Sequence, residues 1–307
     1  ETQRENFLNA LQGRVAGVQV TSTSGLPGSS SPIMIRGVSS LSGSNQPLFI
    51  VDGLPIDNKT FGTGALASDK TSATAFNNRG VDFTNRAADI NPEDIESITV
   101  LKGPEAAALY GIDAASGAIV ITTKRGKAGD GQINYSNSFR VEQINKFPQI
   151  QRVYDRGDLG AFNDRQDVLR YNGPRYGTNG EVQFYDNIQN FFQTAFTQKH
   201  NLSTQGGTDK STYRISGAYT GQEGFVPGTE LQKLNFNSAV TSKLNRYIST
   251  DVTFDYTYQD NDQVFRGDGG PMIGLLLWPS TDDASNYLTA GGNRRRFSSG
   301  AAEFENP

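Results

Sequence analysis

The chain has 307 residues, of which 35% are hydrophobic, and a formal net charge of −4. This charge gives no case for a nucleic-acid partner, and the lack of cysteine excludes a disulfide framework or a thiolate metal site. No apolar run approaches the ~20 residues of a membrane-spanning helix, which excludes a helical membrane protein but not a β-barrel. With 34 Gly, 18 Phe and 12 Tyr, the composition is typical of a β-rich protein with many turns.

The first part of the chain, to about residue 128, predicts a small α/β unit with short strands and long loops. An amphipathic helix is expected over residues 1–12, and Gly13 ends it. Asn91 and Pro92 are suited to the cap and the first position of a second, short helix. The apolar run 47–51 is continuous, which indicates burial on both faces. Strands are expected at residues 32–37, 47–51, 97–101 and 117–123.

From about residue 130 the hydrophobic pattern changes to period two, which predicts antiparallel strands. In residues 248–259 the even positions are apolar or aromatic, apart from Thr250, and the odd positions are polar. Tight turns at 208–210 and 245–246 alternate with longer connections, as in an outer-membrane barrel. The other alternating segments are 133–141, 213–219, 234–244 and, more weakly, 196–206.

Alternation alone leaves open which face of these strands points outward. A soluble barrel or sandwich buries the apolar face and exposes the polar one. Aromatic residues near segment ends, such as Tyr135 and Tyr258, favour the opposite arrangement with lipid outside. Charges on the polar face, such as Arg140 and Asp255, suit a wet lumen. We therefore predict transmembrane strands and keep the soluble sandwich as the alternative.

The motifs of the first part, in their order and spacing, resemble those of the TonB-dependent outer-membrane transporters, and more closely their SusC-like (SusC/RagA) branch. The resemblance covers residues 1 to about 128 closely, and beyond that it is architectural. The motifs are Leu11-Gln12-Gly13-Arg14-Val15-Ala16-Gly17-Val18, Ile35-Arg36-Gly37, Pro47-Leu48-Phe49-Ile50-Val51-Asp52-Gly53, Ile90-Asn91-Pro92-Glu93-Asp94-Ile95-Glu96-Ser97-Ile98, Val100-Leu101-Lys102-Gly103-Pro104, Ala108-Leu109-Tyr110-Gly111 and Ala115-Ser116-Gly117-Ala118-Ile119-Val120-Ile121-Thr122-Thr123-Lys124.

The resemblance implies an α+β plug domain over residues 1–128, followed over residues 129–307 by antiparallel strands of the N-terminal part of a transmembrane β-barrel. About 22 strands are typical of plugged transporters, whereas the pattern here predicts five. We therefore expect a fragment that lacks most of the barrel and the upstream segment that TonB contacts.

The function that the resemblance implies is TonB-dependent active import of a large nutrient, a glycan or an oligopeptide, across the bacterial outer membrane. The plug blocks the lumen, and TonB, energised by its inner-membrane complex, pulls on it to open a path. A SusD-like surface lipoprotein closes over the mouth, and two transporter units can form a dimer in the outer-membrane lipid. No cofactor, metal site or enzymatic activity is expected.

Three other functions stay open at this point. One is a siderophore or cobalamin receptor of the same broad architecture. Another is a surface adhesin or pore that is not energised. The third is a soluble carbohydrate-binding module, which would be extracted without detergent.

Substrate contacts are expected from residues 57–89, 145–195 and 263–300, because aromatic rings in such loops stack on sugar faces. Loop packing or an outer aromatic girdle is the competing explanation for the same residues. The candidates are Phe61, Phe76, Tyr171, Tyr176, Tyr185, Phe191, Phe192 and Trp278.

Four charged residues beside predicted strand ends, Arg36, Asp52, Glu96 and Lys102, are expected to have a structural or gating role. The resemblance implies that plug charges of this kind bridge to the barrel wall, and a lumen-facing charge must be paired because an isolated one is costly. An Arg36→Ala variant is accordingly expected to leak.

Other motifs carry less weight. The single histidine, His200, excludes a histidine-based metal cluster and is expected to be structural. Asp260, Asn261, Asp262 and Asp268 have the oxygen ligands that calcium prefers but lack the full loop spacing. The adhesion tripeptide Arg156-Gly157-Asp158 is interpreted as a chance match in a loop rich in Gly and Asp.

Overall fold

The structure is a computed structural model that describes residues 6–22, 24–38, 45–58, 84–162, 171–177, 181–264, 270–298 and 303–305. Among these residues, the N-terminal unit, up to residue 126, contains two α-helices (Phe7–Leu11 and Pro104–Tyr110) and three 3-10 turns (Arg86–Asp89, Pro92–Asp94 and Ile112–Ala114). Its strands are β1 (Val18–Val20), β2 (Ile33–Ile35), β3 (Leu48–Val51), β4 (Leu54–Ile56), β5 (Ile95–Leu101) and β6 (Ala118–Thr123).

The strands of the N-terminal unit form two small sheets. β1 and β2 pair antiparallel, and the others form a sheet of order β4-β3-β6-β5 in which β3 and β6 are parallel. The helix predicted at Asn91 is limited to the 3-10 turn Pro92–Asp94, because β5 begins directly after it at Ile95. Asn91 caps this turn by accepting a hydrogen bond from the amide of Glu93.

The four-stranded sheet is covered on both faces, as the continuous apolar run in β3 predicts. Phe49 packs with Ile119 and Ile121 in one buried cluster, which also contains Phe7 and Leu8 of the first helix. Its neighbour Ile50 points to the other face and packs in a cluster with Ala106, Ala114 and Ala118. This core is small, so the unit depends on further contacts for its position.

The second part is built on five long antiparallel strands of 13 or 14 residues each. The strands from residue 129 onward are β7 (Gly129–Glu142), β8 (Gly157–Asp158), β9 (Ala161–Phe162), β10 (Ala195–Gly207), β11 (Ser211–Glu223), β12 (Glu230–Lys243), β13 (Ser249–Asp262), β14 (Arg296–Ser298) and β15 (Glu303–Glu305). The long strands form one sheet of order β13-β12-β11-β10-β7. The predicted weak strand at 196–206 is therefore a full member of the sheet.

The two ends of the five-stranded sheet differ. Short turns join β10 to β11 and β12 to β13 at the end where β7 begins, whereas residues 143–194 and 263–298 leave from the opposite end. These outer segments contain the helices Asn187–Phe191 and Pro271–Leu277 and two small hairpins, β8–β9 and β14–β15. In the part of the chain that the structure describes, no helix is long and apolar enough to cross a membrane.

Candidate functional site

The five-stranded sheet turns its polar face toward the N-terminal unit and exposes its apolar face. In β11 the buried side chains include Arg214, Ser216 and Thr220, whereas Tyr213 and Ile215, at alternate positions, are exposed. This is the reverse of the burial in a soluble sandwich, and an exposed apolar area this large marks a contact surface. Other exposed apolar residues on this face are Ile133, Tyr135, Phe139, Val141, Leu202, Leu234, Phe236, Val240, Val252, Phe254, Tyr256 and Tyr258.

A buried ion pair joins the N-terminal unit to the centre of this polar face. Arg214 of β11 donates through Nη1 to Oδ1 of Asp94, 2.7 Å away, and the two side chains are 4% and 7% exposed. The Ser216 hydroxyl donates to the same oxygen (2.7 Å), and Asn91 Nδ2 donates to Asp94 Oδ2 (3.0 Å). Additional hydrogen bonds of this kind are what a buried ion pair needs to offset its desolvation.

The ion pair belongs to a hydrogen-bond network that crosses four strands. Asn91 donates to Asn201 Oδ1 of β10 (3.1 Å), and Arg214 also reaches Asn237 Oδ1 of β12 (3.5 Å). Asn237 in turn donates to the carboxylate of Asp255 on β13. Through Asn91 and Asp94, the motif that carries the resemblance at residues 90–98 is thus the part of the N-terminal unit that contacts the centre of the sheet.

A second group of contacts holds the 3-10 turn Arg86–Asp89. The buried Lys233 of β12 donates through Nζ to the carbonyl oxygen of Ala88 (2.9 Å), and Asn235 donates to that of Asp89 (2.7 Å). Burial raises the pKa of the Asp89 carboxyl, and the positive charges of Lys233 and Arg86 partly offset this shift. The sheet therefore holds this turn through two backbone carbonyls. Burial disfavours the charged form of the neighbouring Asp89 carboxyl.

The linker that follows β6 is fixed at the short-turn end of the sheet. Arg125 lies 3.4 Å from carboxylate oxygens of both Asp52, in the N-terminal unit, and Asp251, on β13. The next residue, Gly126, packs so closely on the backbone of Tyr213 that an added Cβ would lie 2.4 Å from its carbonyl oxygen. The chain leaves the N-terminal unit through a point where only glycine fits.

A cavity of about 750 Å³ separates much of the N-terminal unit from β12 and β13. Its lining combines apolar side chains with five carboxylates, four from the N-terminal unit and one from β13, and Arg86 is the one basic residue among the described residues that line it. The N-terminal unit thus rests on the sheet through a few discrete polar contacts and not through a continuous packed core. The acidic residues are Asp52, Asp57, Asp89, Asp94 and Asp255.

Among the four predicted gating charges, only Asp52 makes a side-chain hydrogen bond or ion pair within the described residues. Its carboxylate accepts from the amide (2.9 Å) and hydroxyl (2.6 Å) of Thr123, and it contacts the sheet indirectly through Arg125. Arg36, in a left-handed conformation with φ of 62°, and Glu96 are exposed, and Lys102 is half-buried. The gating role of these four residues stays a prediction.

Sequence reasoning missed the ion pair of Asp94 and Arg214. Asp94 lies in the motif at residues 90–98 and Arg214 in the predicted strand at 213–219, and neither pattern specifies a partner. Two features of the sequence could have indicated the pair: Asp94 is an acid in a motif that resembles the family, and Arg214 is an arginine in the middle of a predicted strand. A charge that faces the lumen from a strand needs a partner of opposite charge.

The described aromatic candidates lie in the outer segments, and Phe61 and Phe76 lie outside the described residues. Trp278 is buried under the guanidinium of Arg295, whose Cζ is 5.5 Å from the ring centroid. The Tyr171 hydroxyl donates to the Leu277 carbonyl (3.0 Å), and Tyr185 is half-buried, its amide donating to the carbonyl of Ser280 (2.7 Å). These residues hold the two outer segments together, and their contact with substrate stays a prediction.

Two further candidates form an aromatic cluster, and one is a perturbed tyrosine. The rings of Phe191 and Phe192 meet edge to face at 5.3 Å, and Phe225 lies 5.9 Å from Phe192. Tyr176 packs edge to face on Phe184 at 5.1 Å, and burial with the nearby charge of Asp155 raises its pKa to about 12. The structure thus brings Phe191 and Phe192 together but separates them from the contacts of Tyr176.

The remaining motifs, which are the tripeptide at 156–158, His200 and the acidic residues at 260–268, have the following places in the structure. Gly157 is buried with φ of 142°, and an added Cβ would lie 1.8 Å from the Ala161 carbonyl oxygen, so the tripeptide at 156–158 closes the β8–β9 hairpin. His200 lies in β10, where its Nδ1 is 2.7 Å from the Tyr135 hydroxyl. No group of three acidic, His or Cys side chains suited to a metal is found in the described ranges, and Asp268 lies outside them.

Comparison with known proteins identifies the family. Residues 1–118 match the family model described as TonB-dependent Receptor Plug Domain. The chain is 32% identical over 263 residues to TonB-dependent receptor SusC of Bacteroides thetaiotaomicron, covering 80% of this chain and 24% of that protein. It is also 32% identical over 272 residues to TonB-dependent receptor P39 of Formosa agariphila, covering 85% and 22%. It spans less than a quarter of the length of these relatives.

Solved structures agree on the fold. The structure of the RagAB peptide importer in the 'closed-closed' state superposes with a TM-score of 0.69 at 24% identity, over 97% of this chain and 34% of that one. A structure of the RagAB peptide transporter gives 0.70 at 23% identity, over 98% and 34%. The fold, and the polar contacts between the N-terminal unit and the five-stranded sheet, define a plug domain packed against antiparallel strands. The chain belongs to the TonB-dependent receptors, and within them it is SusC-like.

Proposed function

We propose that this chain gates the active import of a large nutrient, a glycan or an oligopeptide, across the bacterial outer membrane. Residues 1–128 form the plug, and residues 129–307 form the N-terminal part of a transmembrane barrel. TonB, energised from the inner membrane, displaces the plug, and a SusD-like surface lipoprotein covers the mouth. No catalytic step is part of this proposal.

The observation that carries the proposal is the reversed burial of the five-stranded sheet. Its strands of 13 or 14 residues exceed the ~9–11 residues that a tilted strand needs to cross a bilayer. Their apolar face is exposed, as lipid requires, and their polar face is occupied by the plug. In lipid the exposed backbone groups at the edges of β7 and β13 need partners, which further strands of a closed barrel supply.

The contacts between plug and sheet explain why opening needs an energy source. Leaving one member of a buried ion pair without its partner costs about 3–5 kcal/mol, so separation of Asp94 from Arg214 is rare without an applied force. Beside this pair lies a cavity, and the other polar contacts described between plug and sheet include the hydrogen bonds of Lys233 and Asn235 and the ion pairs of Arg125. A force on the plug therefore has few, well-defined bonds to break, and the plug stays closed otherwise.

The outer segments provide the surface for a lipoprotein lid and for the substrate. They leave from the end of the sheet opposite the clamped linker at Arg125, which is the extracellular end if the plug is pulled from the periplasm. A relative of the same fold is described as a peptide importer, RagAB, which supports the peptide half of the proposal. Pairing of two transporter units in the membrane is part of the same proposal.

The test is to isolate the full-length protein that contains this chain from outer membranes in mild detergent and to identify copurifying proteins by mass spectrometry. A stoichiometric SusD-like lipoprotein is the expected result. Recovery of the protein alone would favour a receptor of the siderophore or cobalamin type. Recovery without detergent would contradict the membrane location and leave a soluble carbohydrate-binding module as the better explanation.

A further inference from the structure

A second cavity, of about 380 Å³, lies at the end of the sheet from which the outer segments leave, where a loop of the plug meets them. Only Ser24 and Lys146 contribute polar side chains among the described residues that line it. Its volume falls within the range of about 300–1,000 Å³ that is usual for ligand pockets. The apolar residues that define it are Leu26, Phe147, Ile188, Phe192, Phe225 and Met272.

The aromatic rings at this cavity form a continuous wall that touches the plug. Phe192 lies 6.0 Å from Phe147 and 5.9 Å from Phe225, measured between ring centroids. Phe225 continues onto the plug, where an added Cβ on Gly25 would lie 3.1 Å from its Cε1. An occupant of the cavity would therefore contact both the outer segments and the plug loop at residues 24–26.

We propose that this cavity, which we name the apex pocket, binds an aromatic or branched aliphatic side chain of an oligopeptide substrate. Sugars carry a hydroxyl on nearly every carbon, and burying hydroxyls without hydrogen-bond partners is unfavourable. The apex pocket has few polar groups to supply such partners, whereas an apolar side chain gains by leaving water. The inference rests on the proposed import function and narrows its substrate to peptides.

The same plug loop is connected to the polar contacts that hold the plug. The Gly28 carbonyl accepts a hydrogen bond from the Thr84 hydroxyl (2.5 Å), and Thr84 accepts from Gln259 and Asn261 of β13 (3.2 and 3.3 Å). Thr84 lies two residues before the turn Arg86–Asp89 that Lys233 holds. A side chain in the apex pocket would thus press on the loop that leads to the anchored segment of the plug.

Binding to the full-length protein, purified with any lipoprotein that accompanies it, tests the proposal. The probes are decapeptides of Ala, Gly and Ser that carry one central Phe, Leu or Asp, with maltohexaose as the glycan, measured by isothermal titration calorimetry. We expect the Phe and Leu peptides to bind about tenfold more tightly than the Asp peptide, a difference within the usual discrimination of an apolar pocket.

A Leu26→Asn variant keeps the size of the side chain and places an amide in the pocket wall, so it should remove the preference for Phe and Leu. Leu109→Asn is the matched control, because Leu109 is an exposed leucine of the plug, and it should keep the preference. A preference that survives in Leu26→Asn would overturn the assignment to this pocket, as would equal or absent binding of all peptides.

The outcomes separate this inference from the proposed function. Binding of maltohexaose in place of the peptides would overturn the peptide assignment while import itself, measured as TonB-dependent uptake, stays intact. Failure of the proposed function would appear instead as absence of the protein from the outer membrane. If the pocket is filled by a side chain of the lipoprotein, the Leu26→Asn variant would weaken copurification without changing the ranking of the peptides, which would also overturn the inference.

Discussion

Asp94 of the plug and Arg214 of strand β11 form an ion pair in which carboxylate and guanidinium are 2.7 Å apart and both side chains are buried. Asp94 follows Asn91-Pro92-Glu93 in a 3-10 turn, which points its carboxylate at the sheet. Arg214 occupies a polar-face position in the middle of the order β13-β12-β11-β10-β7. The pair is therefore the central connection between the plug, which would move during import, and the five-stranded sheet, which would stay in place.

Replacing Asp94 with alanine should loosen the plug. The substitution leaves the buried guanidinium of Arg214 without its carboxylate, which is expected to cost about 3–5 kcal/mol. We expect increased sensitivity of cells to large antibiotics and increased conductance of the purified protein in planar bilayers. A variant with both Asp94 and Arg214 replaced by alanine should leak less than the sum of the leaks of the two single variants, because the two residues act as one pair.

Arg36→Ala is the comparison for this experiment. Sequence reasoning favours it as a loosening substitution, but its side chain is exposed and makes no hydrogen bond or ion pair within the described residues. We expect its leak to be much smaller than that of Asp94→Ala. Equal leak in both variants would show that the gating contacts include Arg36 and that the Asp94–Arg214 pair is not dominant.

Gly126→Ala should prevent correct seating of the linker between plug and sheet. Its Cβ would lie 2.4 Å from a backbone oxygen of Tyr213, which cannot move without disturbing β11. Gly217→Ala is the control. Gly217 lies on β11, the strand of Tyr213, and nothing lies within 4 Å of its added Cβ. We expect a lower melting temperature or lower yield in outer membranes for Gly126→Ala alone. A normal yield and melting temperature would show that the linker is free to shift.

Asp89→Asn should change the pH dependence of stability. Burial raises the pKa of this carboxyl above its ordinary value of 3.8, so the folded protein takes up the proton at higher pH than the unfolded chain. The contribution of Asp89 to stability is therefore greatest below pH 3.8 and is lost as pH rises through the raised pKa. Asparagine removes this loss while its backbone carbonyl still accepts from Asn235.

The measurement for Asp89 is the change in melting temperature between about pH 4 and pH 7, compared between the wild type and Asp89→Asn. The wild type should lose more stability over this interval than the variant does. An identical pH dependence in the two proteins would mean that the charges of Lys233 and Arg86 offset the burial of this carboxyl completely.

Asn187→Ala should release the outer segment that follows Trp278. The Asn187 side chain is buried and donates to the carbonyls of Pro279 (3.2 Å) and Asp282 (2.8 Å) while accepting from the amide of Ala284 (3.0 Å). Leaving these backbone groups unpaired costs about 1–3 kcal/mol per group.

Limited proteolysis of intact cells checks this prediction, with cleavage expected within residues 279–284 of the Asn187→Ala variant. Asn190→Ala, on the exposed side of the same short helix, should be cleaved as slowly as the wild type. Equal cleavage of the two variants would indicate that the outer segments are held by other contacts.

Hydrophobic periodicity is sufficient to predict the strands but not the contacts between the N-terminal unit and the five-stranded sheet. The alternation at residues 248–259 and the continuous run at 47–51 are local patterns, and the structure confirms a strand at each place, Ser249–Asp262 and Leu48–Val51. The ion pair of Asp94 and Arg214 joins residues 120 positions apart, and no local pattern encodes such a separation. Family-like motifs indicated a plug but not which of its charges would meet the wall.

The aromatic candidates show the same limit in the outer segments. Trp278 and Tyr171 are candidates because rings in loops can stack on sugars. In the structure Trp278 packs under Arg295 of its own segment and Tyr171 bonds to the other outer segment, contacts that a single sequence cannot reveal. The signal that could have indicated the apex pocket is the pair Phe191-Phe192 followed, after two strands, by Phe225 in a short loop. These rings converge only because β10 and β11 return the chain to the same end of the sheet.

The most direct test of the membrane arrangement uses single cysteines on β12, since the 307 residues contain none. Bimane would be attached in turn at Phe236, Val240, Asn235 and Thr241 of the full-length protein, and its fluorescence measured in vesicles of lipids brominated on the acyl chains. We expect strong quenching at Phe236 and Val240 and little at Asn235 and Thr241. Equal quenching at all four positions, or the reverse alternation, would contradict a sheet that turns its apolar face to lipid and its polar face to the plug.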